Sequence, residues 1–503
     1  MATQPVTNSA SSQKAPLLGA EMHNLLHFIL AQLVIWTLVP WFFAVSLPLD
    51  VVSDGLGWGH EWQWGYFKHP PLPSWTVEAF FRAFGDIGPF LLSQIAVGVT
   101  YAFVFLIGRV MMPARQALIG TLLLAGVYYF SIPTPEWNHN VAQMPVWAWA
   151  TYSYLLAIRT GRWRWWTMLG LACGVAVLTK YASAVLFLAM LAHLLSTRKT
   201  AAQLATPGPY IALAILLAVI APHLVWLVQN HFPTFGYAEG RAGHGEGVVH
   251  RIIAPFHFLL SQLATLLPAL IVAAAIGLLR RVKLPSLEDE NFRFLVFLGA
   301  GPALITAALS LLSGFGIRDM WGAPMWNLTG LLIVYAMQPR WPETSLRALY
   351  LWVAALFVII PLAYVLSTAW VPEWRGKPSR TQWPDRAMAQ TFNAAWTEAT
   401  HAPLKIVASD GWTGGLIAMR APGRPSIFID CNPRHAPWIT PQRLSREGAL
   451  VVWQTHANDS PPATFNLPGL RIMGVKTFAW PREPRAKPLR LGWGIIPPSG
   501  PPS

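Results

Sequence analysis

Eleven apolar windows determine what this chain can fold into, because several of them run for about 18 residues or more with almost no charge. They lie at 24–46, 88–111, 116–132, 140–158, 165–180, 182–196, 208–229, 254–279, 293–313, 322–338 and 347–369. Only 12% of the residues are charged, whereas soluble domains carry roughly 25%. The sequence therefore predicts a polytopic α-helical membrane protein with about 11 transmembrane helices.

Lysine and arginine mark alternate loops, which predicts the orientation of the helices. The basic positions are Arg109 and Arg115; Arg159, Arg162 and Arg164; Arg198 and Lys199; Arg280, Arg281 and Lys283; and Arg340 and Arg347. The opposite loops carry acids, histidines and tryptophans instead. We expect the basic loops and the N-terminus to be cytoplasmic, and the acidic loops to face the periplasm.

The chain divides into three parts by composition. Residues 1–23 are polar and predicted to be a disordered cytoplasmic N-terminus, residues 24–369 form the transmembrane domain, and residues 370–503 form a periplasmic α/β domain. In this last part, strands are predicted at 404–409, 426–430 and 449–453, and helices at 411–421 and 441–448. Asp410 and Asp430 are expected at strand ends or helix caps, and residues 492–503 are expected to be unstructured.

The loop after the first apolar window collects charged residues beside the membrane. A carboxylate at this boundary is costly unless it is solvated or paired, so Asp50 is a candidate functional acid. Lys68 and His69 precede Pro70 and Pro71, which hold the backbone extended. The alternatives are a helix cap or interfacial charge for Asp50, and for Lys68 a lysine that reaches toward the headgroups. The tryptophans of this loop, Trp58, Trp62, Trp64 and Trp75, are typical of a membrane-interface belt.

Two further loops supply polar candidates. The second acidic loop, PEWNHN, contains Glu136, Asn138 and His139 as candidate functional residues. The alternative is that this segment is an ordinary hydrated loop. Lys180 interrupts an otherwise apolar hairpin, where an unpaired ammonium would be expensive. The alternative for Lys180 is a simple loop charge between two spans.

These stretches resemble a known family. A carboxylate just after the first span, followed by WGYFKHPPLPSW, resembles the bacterial dolichyl-phosphate-mannose-type and aminoarabinose-type GT-C glycosyltransferases. PEWNHN, LTKYASA and FGYAEGRAG resemble the family's acidic second loop, its LTK element and its Tyr/Arg loop, and the α/β tail resembles an accessory domain of one bacterial branch. Family members often have Asp-Glu where this chain has Asp50-Val51. Asp50 is the expected counterpart of the catalytic Asp, and Asp54 is the fallback.

The resemblance implies a GT-C fold and a role for each residue. Asp50 would take the proton of the acceptor hydroxyl, with Glu136 as the second acid. Cations would neutralise the departing phosphate. The expected phosphate-binding residues are Lys68, His69, Lys180 and Arg241, and the expected substrate contacts are Asp54, Tyr66, Asn138, His139 and Tyr237.

The implied reaction is an inverting transfer of a sugar from a polyprenyl-phosphate carrier to a cell-envelope acceptor. Lipid A or lipopolysaccharide core is the favoured acceptor, on the periplasmic face of the bacterial inner membrane. The chain has no P-loop and no Rossmann-type glycine motif, and the cytoplasmic loops are too short for a nucleotide-sugar domain. The donor should therefore be lipid-linked.

Other functions are weighed on the same residues. A lipid or sugar-lipid flippase would favour ionisable residues at the membrane midplane, whereas those of this chain cluster at one face. A non-catalytic sugar-lipid-binding relative remains a third hypothesis. The net charge of +14 is scattered over short loops, which indicates topology and anionic membrane lipids rather than nucleic acid. No metal motif is present, and the sequence leaves open whether a divalent cation takes part.

Overall fold

Over the residues that the structure describes, the protein is mostly helical and its strands all lie in the C-terminal part of the chain. The computed structural model describes residues 19–242, 248–275, 284–337, 343–455, 460–465 and 467–499. The helices are α1 (Ala20–Phe43), α2 (Gly57–Gly59), α3 (Leu72–Phe84), α4 (Gly88–Met111), α5 (Ala114–Leu123), α6 (His139–Thr160), α7 (Trp163–Thr179), α8 (Ala184–Leu195), α9 (Arg198–Ala201), α10 (Gly208–Gln229), α11 (Pro233–Ala242), α12 (Val248–Ala275), α13 (Glu290–Gly299), α14 (Gly301–Ser313), α15 (Thr329–Met337), α16 (Glu343–Val365), α17 (Val371–Arg375), α18 (Asp385–Thr400), α19 (Gly411–Arg420) and α20 (Pro441–Glu447).

Every predicted apolar window contains at least one of these helices. By length and hydropathy, five helical segments of the described residues can cross a membrane: Ala20–Phe43, Leu72–Met111, Gly208–Gln229, Arg251–Ala275 and Leu346–Arg375. Two bent helix pairs, with bends of 111° and 46°, bring the number to seven if each pair is one span. The protein is thus a multi-pass helical membrane protein, whereas the predicted count of about 11 spans is not confirmed.

Small residues allow the helices of the bundle to pack closely. α7 packs against α6 and α10. A Cβ atom added to Gly170 of α7 would lie 2.5 Å from the carbonyl oxygen of Ala212, and one on Gly174 would lie 2.7 Å from Val219. Such distances exclude any larger side chain, as is typical of helix contacts in membranes. This packing fixes the end of α7, where Lys180 follows.

The two ends of the bundle differ in chemistry. α6 spans the distance between them and is about 33 Å long at 1.5 Å per residue. At its C-terminal end, Arg159 donates to the carbonyl oxygen of Val110 at 2.9 Å and also contacts Asn291. Lys199 pairs with Glu290 nearby at 2.5 Å, and both Lys199 and Arg159 line one cavity. Of the basic residues that the structure describes, Arg159 and Lys199 therefore lie together at one end of the bundle, and the N-terminal end of α6 borders the acidic loops.

A five-stranded mixed sheet forms the centre of the C-terminal part. The strands are β1 (Ile406–Ser409), β2 (Ser426–Ile429), β3 (Ala449–Gln454), β4 (Arg471–Phe478) and β5 (Leu489–Ile496), in the order β2-β1-β3-β5-β4. β2, β1 and β3 run parallel, and β5 is antiparallel to both β3 and β4. Side chains alternate between two buried faces, so that Val407 packs toward α18 and α19 while Ile406 packs toward the opposite side. The three predicted strands and the helices at 411–421 and 441–448 are confirmed.

The expectation that residues 492–503 are unstructured is wrong for Gly492–Ile496, which belong to β5. Glycine and proline suggested a tail, but the glycines serve packing in a central strand. A Cβ atom at Gly492 would lie 2.3 Å from the indole of Trp453. Glycine in a strand often marks such a close approach.

The C-terminal domain is docked on the loops of the transmembrane part through an apolar core and buried ion pairs. One hydrophobic cluster joins Val51, Val52 and Val77 to Phe392 and Leu416. The ion pairs lie at its edge: Arg420 pairs with Asp86 at 2.6 Å and Asp385 at 2.7 Å, and Arg424 pairs with both oxygens of Glu78 at 2.6 Å and 2.8 Å. The domain is therefore held in one position relative to the acidic loops.

Arg424→Met is expected to weaken this docking. The side chain of Glu78 is 0% exposed and keeps a second cation, Arg82, at 2.6 Å, so the loss of the two hydrogen bonds from Arg424 is expected to cost about 1–3 kcal/mol. We expect a lower melting temperature for the detergent-solubilised protein, with the exposed Arg434→Met as the matched control. Equal melting temperatures for both variants would contradict a docking role for the pair.

Candidate active site

A polar cavity of about 430 Å³ lies between the acidic loops and the C-terminal domain. Its walls come from six places in the chain: the helical turn after α1, the loop before α3, the start of α6, the end of α7, α11, and the 3₁₀ segment Asp319–Trp326 with its preceding residue. The C-terminal domain supplies a seventh wall. The cavity thus collects side chains that are far apart in the sequence.

The first wall is a π-helical turn, Val51–Leu56, that places Asp50 and Asp54 on the cavity. Close packing fixes this turn and α2, which follows it. A Cβ atom at Gly59 would lie 2.3 Å from the carbonyl oxygen of Ser74 on α3. The Ser74 hydroxyl also donates to the carbonyl oxygen of Asp54 at 2.7 Å. π-Helical turns are frequent at functional sites, and here the turn presents two carboxylates to one space.

Asp50 is a carboxyl group whose surroundings favour the protonated form. The backbone NH of Asp50 donates to Glu136 Oε1 at 2.9 Å, which brings a second acid against it. Burial, together with the negative charges of Glu136 and Asp54, raises the pKa of Asp50 to about 7. Burial also raises the pKa of Glu136. A carboxyl group with a pKa near neutrality is suited to proton transfer.

Lys68 is the first cation of the cavity. Its ammonium pairs with Asp54 at 3.0 Å and lies 5.2 Å to 5.9 Å from the ring centroids of Phe67, Trp58 and Tyr237. Burial lowers the pKa of Lys68, but the charge and hydrogen bond of Asp54 outweigh burial and raise the pKa overall. Lys68 is therefore a fixed positive charge beside aromatic faces.

Lys180 is the second cation and the more deeply buried one, at 9% exposure. Its ammonium donates to the side-chain oxygen of Asn140 at 2.6 Å and lies 5.6 Å from the ring of Trp321. None of the described carboxylates forms an ion pair with it. An ammonium held by a neutral amide in a cavity is suited to an anionic ligand.

Two histidines lie between these cations. The rings of His69 and His139 are 4.1 Å apart, and both line the cavity. His139 is the first residue of α6, whose N-cap is Asn138: the Asn138 side chain accepts from the backbone NH groups of Asn140 and Val141. The capped helix start therefore positions His139 and the amide that binds Lys180.

The structure brings most of the predicted site residues together. Those that line the cavity are Asp50, Asp54, Lys68, His69, Asn138, His139, Lys180 and Tyr237. Glu136 is not on the lining; it accepts a hydrogen bond from the Asp50 backbone, and its charge raises the pKa of Asp50. Tyr66 is 1% exposed and stacks on Trp58 with ring centroids 5.1 Å apart, so it lies behind the lining, and its contact with a substrate stays a prediction. The side chain of Arg241 lies outside the described residues.

Sequence reasoning missed several lining residues, among them Arg318, Trp321, Trp412 and Asp430. Arg318 and Trp321 lie in and just before the 3₁₀ segment Asp319–Trp326, whose sequence shows polar and aromatic residues but no motif. Trp412 and Asp430 come from the C-terminal domain, where no local pattern indicates a cavity. Trp58, expected in a membrane-interface belt, is 1% exposed and lines the cavity instead.

An apolar groove of about 520 Å³ adjoins the polar cavity. The two share five lining residues: Lys68, His69, Lys180, Tyr237 and Trp321. The rest of the groove includes Val185, Leu309 and Ile317. The two spaces together fit an amphiphile with a charged head and an apolar chain. Among the described residues, no group of three or more His, Cys, Asp and Glu side chains could hold a metal ion.

Comparison with known proteins gives consistent results. The family described as dolichyl-phosphate-mannose-protein mannosyltransferase matches residues 68–226. The chain is 23% identical over 414 residues to the lipopolysaccharide core galacturonosyltransferase RgtA of Rhizobium johnstonii, and the match covers 78% of each chain.

The fold is that of a solved glycosyltransferase structure. ArnT from Cupriavidus metallidurans bound to undecaprenyl phosphate superposes with a TM-score of 0.62 at 15% identity, over 96% of this chain and 100% of that chain. Its apo state superposes with a TM-score of 0.63 at 12% identity and the same coverage. The chain therefore has the GT-C fold, and its resemblance to the GT-C glycosyltransferases of the dolichyl-phosphate-mannose and aminoarabinose transferase type is confirmed.

Proposed function

We propose that the protein is a glycosyltransferase that moves a sugar from a polyprenyl phosphate to a cell-envelope acceptor. One observation carries this proposal: a polar cavity lined by three acids and two lysines is continuous with an apolar groove along five shared residues. A sugar linked through phosphate to a long hydrocarbon chain has the polarity of this combined space. The relatives named above act on lipopolysaccharide core or bind undecaprenyl phosphate, which supports the same assignment.

The donor phosphate would lie where the cavity meets the groove. Lys68 and Lys180 border both spaces, so they can neutralise a phosphate whose hydrocarbon tail extends past Val185 and Leu309. A phosphate that leaves as an anion needs such fixed positive charge in the transition state. His69 borders both spaces as well and can donate a hydrogen bond to a phosphate oxygen.

The reaction would proceed by direct displacement. Asp50 takes the proton of the acceptor hydroxyl, the hydroxyl oxygen forms a bond to the anomeric carbon, and the bond from that carbon to the phosphate oxygen breaks. The phosphate leaves with the electron pair, stabilised by Lys68 and Lys180. A single displacement inverts the anomeric configuration, since the acceptor attacks the face opposite the leaving phosphate.

The distribution of basic residues supports a periplasmic site. Arg159 and Lys199, from two of the basic loops, lie together at the end of the bundle away from the cavity, and such loops are expected in the cytoplasm. The cavity would then face the periplasm of a bacterial inner membrane, where lipid A and lipopolysaccharide core are available. No observation favours a flippase, because the relatives named above are transferases and the ionisable residues cluster at one end of the bundle.

The direct test is transfer from a radiolabelled donor. Purified protein in vesicles is given undecaprenyl phosphate carrying either galacturonic acid or mannose, with lipopolysaccharide as acceptor. We expect label in the lipopolysaccharide from one donor, and loss of one sugar unit from the envelope lipids of a strain without the gene. Movement of donor across the vesicle without transfer would support the flippase and overturn the proposal.

The transfer rate should depend on the protonation of Asp50. With a pKa of about 7, Asp50 is protonated at lower pH and cannot accept the hydroxyl proton. We expect the rate to rise about tenfold per pH unit below pH 7 and to level off above it. The check is the initial rate at saturating donor over this range, and a rate that falls as pH rises toward 7 would exclude Asp50 as the base.

A further inference from the structure

The C-terminal sheet presents the carboxyl ends of two parallel strands to the cavity. β1 ends at Ser409 and β2 at Ile429, in register with each other, and the residues that line the cavity from this domain are Gly411, Trp412, Ile429 and Asp430. Ligands of open α/β sheets bind outside the carboxyl ends of parallel strands. This edge therefore forms one wall of the cavity, although Asp50, the proposed base, lies on another part of the chain.

The backbone after β2 is held in an uncommon conformation. Asp430 and Cys431 both have φ of +53°, a left-handed conformation that is rare for residues other than glycine. The Asp430 NH donates to the carbonyl oxygen of Ser409 at 2.8 Å, and the Cys431 NH donates to that of Phe428 at 3.2 Å. Such conformations persist only where the surroundings enforce them, and they concentrate at functional sites.

His435 fixes the Asp430 carboxylate. His435 Nδ1 lies 2.9 Å from Asp430 Oδ2, and the imidazole stacks on Phe67 with centroids 3.9 Å apart and an interplanar angle of 12°. Phe67 adjoins the Lys68 ammonium. The Asp430–His435 pair therefore packs against the loop that carries Lys68. In the part of the chain that the structure describes, the other carboxylate oxygen, Oδ1, has no hydrogen-bond donor.

Charge differs between the two sides of the cavity, although Lys68 lies close enough to Asp430 for their charges to interact. Lys180 and Trp321 lie toward the apolar groove, whereas Asp430 and Trp412 lie on the C-terminal wall, which does not border the groove. A carboxylate on this wall repels a phosphate and accepts hydrogen bonds from hydroxyl groups. An indole beside a carboxylate is a surface suited to a sugar ring.

We propose that Asp430 binds the acceptor, accepting a hydrogen bond from a hydroxyl group of an acceptor sugar through Oδ1, and that His435 positions it. This inference rests on the proposed function and adds the class of acceptor. The part of the acceptor that contacts Asp430 would be a carbohydrate without a phosphate group. The wall on the C-terminal domain would then orient the hydroxyl group that Asp50 deprotonates.

The test separates acceptor binding from donor chemistry. With radiolabelled undecaprenyl-phosphate sugar and varied lipopolysaccharide, Asp430→Asn is expected to raise the acceptor KM about tenfold, the loss of one hydrogen bond to a charged group. The donor KM, measured at saturating lipopolysaccharide, is expected to change much less than the acceptor KM. Asp410→Asn is the matched control, because Asp410 caps α19 at the neighbouring strand end and asparagine caps a helix equally well.

Two variants of His435 distinguish positioning from folding. His435→Phe keeps the stack on Phe67 but removes the hydrogen bond to Asp430, so it should raise the acceptor KM as Asp430→Asn does. His435→Gln can restore a donor to Asp430 and should recover part of the loss. Unchanged acceptor KM in both Asp430→Asn and His435→Phe, with transfer intact, would overturn this inference alone. An equal rise in the donor KM and the acceptor KM in these variants would also overturn it, whereas absence of transfer in the unaltered protein would contradict the proposed function.

Discussion

Asp50→Asn is expected to lower the rate of sugar transfer about a thousandfold while the chain stays folded. The amide keeps the size of the side chain and cannot accept the hydroxyl proton. The backbone NH of residue 50 still donates to Glu136, so the π-helical turn should remain in place. The measurement is the initial rate of label transfer to lipopolysaccharide at saturating donor and acceptor.

The same variant should be more stable than the unaltered protein at pH 8. The folded pKa of Asp50 is about 7 against an ordinary value of 3.8, so the ionised carboxylate disfavours the folded state. This cost is complete above about pH 7, shrinks as pH falls toward 3.8, and is absent below it. The melting temperature of Asp50→Asn should therefore exceed that of the unaltered protein at pH 8, and the two should converge near pH 4.

Asp410→Asn is the control for this pair of measurements, since it makes the same change at a helix cap. It should leave both the rate and its pH dependence unaltered. Full transfer activity in Asp50→Asn would exclude Asp50 as the base. A lower melting temperature at pH 8 would instead show that the charged form stabilises the fold.

Local pattern predicted the helices and the principal polar residues for a physical reason. Charged residues beside long apolar segments are expensive, so Asp50, Lys68 and Lys180 stand out without any knowledge of their partners. The strands β1, β2 and β3 were equally visible because each is a short apolar run between turns. In contrast, β5 contains two glycines and precedes a proline-rich end, and its place in the sheet depends on a close approach to Trp453.

The C-terminal wall of the cavity could not be predicted, because it depends on docking between distant segments. Asp430 and Trp412 reach the cavity through the apolar core and the ion pairs of Arg420 and Arg424. Asp430 is at a strand end, as expected, but nothing in the surrounding residues shows what lies opposite. Likewise, the contact between Glu136 and the Asp50 backbone joins residues 86 positions apart.

Lys180→Met is expected to weaken binding of undecaprenyl phosphate about a hundredfold. The Lys180 ammonium is 9% exposed and is held by the Asn140 amide, so a donor phosphate would be its counter-ion. Lys68 is already paired with Asp54 at 3.0 Å. We therefore expect a smaller loss of affinity for Lys68→Met, although that variant should also transfer sugar more slowly.

Methionine is chosen because it keeps the volume of the lysine stem and removes only the charge. A buried charge without a carboxylate partner disfavours the folded state, so the melting temperature of Lys180→Met should be equal to or above that of the unaltered protein. Lys199→Met is the matched control, since Lys199 has a 77% exposed side chain at the opposite end of the bundle. The affinity for undecaprenyl phosphate is measured for each variant by direct titration in detergent. If Lys180→Met binds undecaprenyl phosphate as tightly as Lys199→Met does, the phosphate does not lie where the cavity meets the groove. A phosphate at that place would be attracted by the Lys180 ammonium, so loss of the ammonium would weaken binding.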